Sequence, residues 1–198
     1  VVDARGADAL LEATAGLSGV VAIPTSVIAT FAFVQERNSE FVKKNPHFFT
    51  RSASGEHDTH MLSAAYPEVR RFKRSLLMEW VKNYPIDGLQ LDFIRFPYYT
   101  KDIRTGYGKH GYDAPALDAF RNLYGYGDGY QPRPDDPRWV RMKSELVSQF
   151  IRELRADLKA SGISLPIGVY NSGMYGRADS LRTVHQDWRA WEEERLVD

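Results

Sequence analysis

The stretch Ile86-Asp87-Gly88-Leu89-Gln90-Leu91-Asp92-Phe93-Ile94-Arg95-Phe96-Pro97 constrains this chain more than any other. A strong helical pattern precedes it, Tyr84-Pro85 ends that helix, and the run begins at once. Successive side chains of a strand point to opposite faces. Leu89, Leu91 and Phe93 then share an apolar side, and Gln90 and Asp92 share the other. A helix that feeds straight into a buried strand is half of a βαβ unit, which belongs to a parallel α/β sheet. In a barrel the apolar side meets the surrounding helices and the second side points inward. Asp92 then stands inward near the C-terminal end of a barrel strand, where barrel enzymes keep their chemistry. The competing reading is a buried Asp that ties neighbouring strands together.

The rest of the chain repeats the alternation. Residues 7–17 read as a short helix stopped by Ser18-Gly19, and residues 20–23 as a short apolar run ended by Pro24. Residues 27–34 (VIATFAFV) are β-branched and aromatic, the composition of a buried strand, and they run into the polar cluster Gln35-Glu36-Arg37-Asn38. A loop or short helix follows through Lys44, then a turn at Asn45-Pro46-His47. Residues 51–60 read as a solvated polar loop. His57 and His60 lie there with Glu56 and Asp58, but their spacing fits no standard metal pattern. Residues 61–64 read as a very short strand. Tyr66-Pro67-Glu68 opens a helix, with Pro at the first helical position, and Val69, Phe72, Leu76, Trp80 and Val81 repeat at helical spacing.

From Tyr98 to Pro134 the pattern is that of a long loop, interrupted by a short helix over 114–123. A connection this long is usually functional or disordered. It leaves the C-terminal end of the central strand and so lies over the active face. Its tyrosines, Tyr98, Tyr99, Tyr107, Tyr112, Tyr126 and Tyr130, either line a sugar groove or pack the loop on itself. Asp136-Pro137 caps the next helix, Leu146, Val147, Phe150, Ile151 and Leu154 belong to its apolar stripe, and Gly162 ends it. Residues 165–170 (LPIGVY) form the next strand, ending in Asn171-Ser172-Gly173, and residues 185–196 a final helix.

These elements specify one α/β domain over residues 1–198. A complete (β/α)8 TIM barrel takes about 250 residues. The sequence supplies four or five strands, so the fold is an incomplete barrel of that type or an open sheet. Val1 is an unusual native start, and the chain reads as a mature fragment or an excerpt. With 26 Lys+Arg against 26 Asp+Glu there is no global attraction to nucleic acid or to an anionic membrane. No apolar run is long enough to span a bilayer. The absence of cysteine excludes disulfides, thiolate metal sites and thiol nucleophiles. No Gly-rich phosphate loop follows a strand and no nucleophile elbow is present, so nothing calls for a nucleotide or another cofactor. Oligomeric state is not encoded in any pattern here.

The run LSAAYPEVRRFKRSLLMEWVKNYPIDGLQLDFIRFP resembles the central signature of the family-10-like glycosyl hydrolases, the GHL10 group: a "Pro-Glu-Val-Arg" helix before an Asp-Gly strand that ends in Asp and Arg. Downstream, GYDAPALDAF, DPRWVRMKSELVSQFIRELRADLKA and HQDWRAWEEERLVD resemble further pieces of the family, and upstream so does NSEFVKKNPHFF. The match runs from about Val27 to the C-terminus. The resemblance implies a (β/α)8 barrel acting on glycans, usually exported or attached to the envelope. Some members resemble enzymes that cut peptidoglycan glycan strands. The residues before Val27 depart from the family's opening, and the last strands are absent.

Glycoside hydrolysis usually needs two carboxyl groups flanking the bond. Asp92 is the first candidate, from its inward position and from the family motif. Glu36, at the end of a buried strand, is the candidate for the second, with a loop salt bridge as its alternative. Arg95 either holds Asp92 ionised, binds a substrate hydroxyl, or forms a structural ion pair at the rim. Gln90, Tyr98, Tyr170, Asn171 and Trp188 are the remaining candidates for glycan contact. Asp87 lies at the stability end of its strand. Asp187 reads as a helix cap. A carbohydrate-binding barrel without catalysis, and a structural module of a larger protein, are the alternatives to an enzyme.

Overall fold

The computed structural model describes residues 39–98, 106–170 and 177–198. In chain order these form α1 (Glu40–Lys44), a 3-10 turn (Pro46–Phe48), β1 (Phe49–Arg51), β2 (His57–Leu62), α2 (Pro67–Asn83), β3 (Leu89–Leu91), α3 (Ala114–Tyr124), α4 (Pro137–Ala160), β4 (Ile167–Val169), α5 (Arg177–Thr183) and α6 (Trp188–Glu193). β3 and β4 pair in parallel, Leu89 with Ile167, Gln90 with Gly168 and Leu91 with Val169. Parallel strands require a crossover, and the segment holding α3 and α4 supplies it. The end of the chain lies beside β4, where the Asp198 N–H donates to the Ile167 carbonyl (2.9 Å) and the Ile167 N–H donates to the Asp198 carboxylate (2.8 Å). The expected α/β alternation is present. Among the described residues the strands close no barrel, and the expected strand over 27–34 lies outside them.

The two long helices begin and end where their sequences demand. Pro67 opens α2 and Pro137 opens α4, each at a position whose N–H needs no partner. The Asp136 carboxylate accepts the Arg138 N–H (2.9 Å), which caps α4. Gly162, with φ at +68°, lets the chain leave α4 as its own N–H reaches the Lys159 carbonyl and that of Ile163 reaches Leu158. Val147, Phe150, Ile151 and Leu154 pack on Leu91, Ile167 and neighbouring core residues. Each such buried side chain is worth ~1.5–3 kcal/mol of transfer free energy. Trp191 of α6 enters the same core and donates its indole N–H to the Ser148 hydroxyl (2.7 Å).

The inner face of α2 is less apolar than its pattern suggests. Val69 and Leu77 are fully buried, and Arg70 and Lys73 are buried as well, while Phe72, Leu76, Trp80 and Val81 are half-buried. Arg70 Nε lies 3.1 Å from both Glu153 oxygens, and its Nη1 donates to the Ala64 carbonyl (2.7 Å). Arg74 Nε reaches Asp157 (2.6 Å), and Arg74 also pairs with Glu153. These links join α2 to α4.

Three expectations need correction. Residues 51–60 are no open loop: β1 and β2 form an antiparallel hairpin whose turn is closed by the Ser52 N–H on the Glu56 carbonyl (2.8 Å), with Gly55 at φ +86°. Asp58 is buried there because its Oδ1 accepts the N–H groups of His60 and Met61, both at 2.7 Å. The final helix is shorter than 185–196, because His185 adopts a left-handed φ of +62° and helical geometry resumes only at Trp188. Asp187 caps it, accepting the Ala190 N–H (3.3 Å), as its position suggests. The central strand ends at Leu91, and Phe93 leaves the apolar side for the surface.

Topology gathers the loops. α2 leads directly into β3, so α2 begins at the end of the sheet where β3 finishes. α4 begins at that same end, because it returns the chain to the start of β4. The β1–β2 hairpin before α2, and residues 106–136 before α4, therefore lie at the C-terminal end of the parallel strands.

A candidate active site at the strand ends

Asp92 follows β3 immediately and is half-buried, and its Oδ1 accepts the Phe93 N–H (2.7 Å). Phe93 has φ at +51°, a conformation that costs a non-glycine residue roughly 1 kcal/mol or more. That turn ends the extended alternation. It brings Phe93 out to 37% exposure, beside Asp92 rather than behind it. The Arg95 guanidinium stands 4.7 Å above the Phe93 ring, and its Nη1 donates to the Phe96 carbonyl (3.2 Å). Tyr170 follows β4 as Asp92 follows β3. Its N–H donates to the Leu91 carbonyl (2.8 Å), and its side chain is largely exposed.

Asp92, Phe93, Arg95 and Tyr170 line a cavity of about 290 Å³. It offers a carboxylate, a cation and two aromatic surfaces, a set suited to a polyhydroxylated ring with apolar C–H faces. Gln90 is half-buried on the Asp92 side of β3 and lies over Gly168 of β4; a Cβ added there would sit 2.4 Å from Gln90 Oε1.

The structure thus brings Asp92, Arg95 and Tyr170 to one cavity. Tyr98 is half-buried at the far end of the Asp92 loop. Trp188 opens α6 and packs half-buried against the core. Glu36, Asn171 and Tyr99 lie outside the described residues. Among the described residues Asp92 is the one carboxylate lining this cavity. The loop tyrosines divide. Tyr112 is buried against Trp139 of α4 (ring centroids 5.1 Å apart), and Tyr126 stacks on Tyr130 (3.8 Å), so the first packs the loop on α4 and the other two pack it on itself. A larger groove of about 750 Å³ is lined by Lys43, His47, His57 and Asp58 among others, but its carboxylate is engaged by the hairpin backbone. No group of three or more His, Asp or Glu side chains among the described residues could hold a metal ion.

Buried polar groups tie this face together, and pattern reading passed over them. Asp113 is fully buried and joins the hairpin to the loop before α3. Its carboxylate accepts the Arg51 N–H (2.7 Å) and the hydroxyls of Thr50 (3.1 Å) and Ser63 (2.5 Å). Burial pushes its carboxyl up to about 6, against the pull of those hydrogen bonds. Asp113 immediately precedes α3, yet its side chain makes no cap bond. Lys143 of α4 is also fully buried. Its ammonium donates to the carbonyls of Gly108 (3.1 Å) and His110 (3.2 Å) and lies 5.6 Å from the Tyr112 and Trp139 ring centres. His185 is fully buried against Phe96, and among the described residues neither ring nitrogen has a hydrogen-bond partner. Burial, then the charge of Lys143 and the proximity of His110, holds its imidazole well below the usual range.

Among solved structures the chain has a partial match to a hypothetical protein from Ruminiclostridium thermocellum ATCC 27405, known from a crystal structure. The two are 16% identical with a TM-score of 0.37, over 66% of this chain and 51% of the other. The chain therefore spans about half the length of that protein. No curated protein matches it. The family model for glycosyl hydrolase-like 10 matches residues 24–198, a span that includes β3, Asp92 and Arg95 together with the helices on either side, and the chain belongs to that family.

Proposed function

We propose that this chain hydrolyses O-glycosidic bonds in a polysaccharide or peptidoglycan-type glycan, with Asp92 as a catalytic carboxylate. The observation that carries the reading is the place of Asp92. It stands at the C-terminal end of a parallel strand, in a cavity walled by Phe93, Arg95 and Tyr170, in a glycosyl hydrolase-like chain. A carboxylate there serves as nucleophile or as base, while a second carboxyl protonates the leaving oxygen. Glu36 is the proposed second group. Gln90, Arg95, Tyr98, Tyr170, Asn171 and Trp188 are the proposed glycan contacts, with Phe93 added by its exposure beside Asp92. The glycan lies outside the cytoplasm in this reading, in keeping with the family resemblance.

The test is Asp92→Asn, assayed for reducing-end release across a panel of soluble glycans that includes peptidoglycan strands. The wild type releases reducing ends, and the variant loses ~10³-fold or more of that rate. Unchanged turnover would remove Asp92 from the mechanism. A glycan-binding domain without hydrolysis is the second reading, favoured by the single carboxylate of this cavity among the described residues. It predicts saturable glycan binding by the wild type with no new reducing ends.

A further inference from the structure

The Asp92 cavity is lined by the segments that leave β3 and β4, and one buried amide bridges those two segments. Gln186 is 1% exposed. Its Nε2 lies 3.2 Å from the carbonyl of Tyr170 and 3.4 Å from that of Ile94, two residues after Asp92. One amide group thus spans from the exit of β3 to the end of β4. The backbone presents it there deliberately. His185 takes a left-handed turn just before it, the Gln186 N–H is held by the Ser180 carbonyl (3.2 Å), and the Val184 carbonyl accepts the Phe96 N–H (3.3 Å). Segment 184–186 is therefore pinned against the loop that carries Asp92. That loop needs a support, because Phe93 holds a strained φ that local sequence does not favour.

We infer that Gln186 is a positioning residue, which sets the Asp92 carboxylate against Tyr170 by donating to the backbone carbonyls of Ile94 and Tyr170. The inference rests on the proposal that Asp92 is catalytic. An amide suits the task. Both partners are carbonyl oxygens, so the linking group must donate twice, and a primary amide does so without bringing a charge into the core. Methionine at this position keeps the length and loses both donors. Glutamate keeps the shape, but when ionised it turns a repelling carboxylate toward the two carbonyls. When protonated it regains a single O–H donor.

The experiment compares the full chain with Gln186→Met, Gln186→Glu and Asp92→Asn. Turnover is read as reducing-end release from the glycan cleaved by the wild type, with kcat and KM separated. The Asp92 carboxyl is followed by carbon-13 NMR of aspartate-labelled protein, and its resonance is assigned by its loss in Asp92→Asn. Gln186→Met is expected to lower kcat by about ten- to a hundredfold, with KM held within about twofold, and to move the Asp92 resonance. Gln186→Glu is expected to be slow at neutral pH and to recover toward the wild-type kcat as the medium is acidified. A merely structural role would instead reduce the amount of folded protein and leave kcat per folded chain unchanged. The inference is overturned if Gln186→Met keeps both the wild-type kcat and the wild-type Asp92 resonance. Should Gln186→Met fail to fold, Gln186→Glu decides, and a kcat ratio to wild type that does not change with pH overturns the inference. If Asp92→Asn retains turnover, the proposed function fails while the carboxyl resonance still reports whether Gln186 positions Asp92.

Discussion

Asp113→Asn removes a buried charge and keeps its shape, and the consequence for stability can be worked from the structure. The carboxyl is pushed up by burial from its ordinary 3.8 to about 6. A folded-state value above the unfolded one means that the folded chain keeps the proton longer, so stability falls as pH rises through this window and is level above it. At ~1.4 kcal/mol per pH unit, the roughly two units between 3.8 and about 6 amount to roughly 3 kcal/mol lost on ionisation. Asparagine does not titrate. Its carbonyl can keep the Arg51 N–H, and its amide can donate to the Thr50 and Ser63 hydroxyls, which rotate to accept. Urea unfolding followed by tryptophan fluorescence, at intervals from about pH 4 to 7, measures the effect as the stability of the variant minus that of the wild type. That difference should rise by roughly 3 kcal/mol across the window. Asp136, Glu194 and Asp198 have depressed values, held down chiefly by Arg138, by Arg152 and by the Ile167 N–H with Arg155. Their contributions are lost as pH falls, the opposite sense, but both proteins contain them and they cancel. Parallel stability curves across the window would refute the reasoning, because they would show that folding leaves the Asp113 carboxyl untouched.

Three further outcomes are expected. Lys143→Met strands the carbonyls of Gly108 and His110, and should lower the unfolding free energy by roughly 2–4 kcal/mol, with amide exchange rising first around Gly111. Gly168→Ala should cost about 1 kcal/mol, because its methyl displaces only the tip of Gln90, and the Gln90 side-chain amide signal should move in a nitrogen-15 spectrum. His185→Phe replaces a buried imidazole lacking hydrogen bonds with a ring of similar size. A base held below its ordinary value costs stability as pH falls below about 6.5, so the variant should gain on the wild type in acid more than at pH ~8, as measured by urea midpoints.

The frame was legible because its signals are local. Pro67, Asp136-Pro137 and Gly162 mark helix ends through backbone donors and φ values that neighbouring residues settle. β3 was legible because α2 stops one short turn before it. The rim of the site was not legible, since its order comes from contacts distant in sequence. Residues 51–60 are mostly polar and so read as solvated, yet Asp58 is buried with its carboxylate held by the backbone, and Thr50, Ser63 and Asp113 beside it are buried because they satisfy one another. Lys143 sits within a helix stripe, and its acceptors are 35 and 33 residues away. Phe93 carries no mark of a left-handed backbone, so simple alternation sent it to the wrong face.

The register between β3 and β4 connects the legible part of the site to the hidden part. Asp92 faces Tyr170 because Leu91 pairs with Val169, and that pairing puts Gln90 opposite Gly168. A slip by one residue would set Ile167 or Val169 against the Gln90 side chain and turn the apolar residues of β4 away from the core. At position 168 the missing side chain is what leaves room for Gln90, since even a methyl group there would overlap its Oε1. The glycine thus fits the Gln90 side chain in this register, the register decides which residue walls the Asp92 cavity, and Gln186 ties the two strand ends at that setting. Asp92, Arg95 and Tyr170 could therefore be named from the ends of their own strands, while Phe93 and Gln186, whose places depend on a left-handed turn and on contacts far away in sequence, could not.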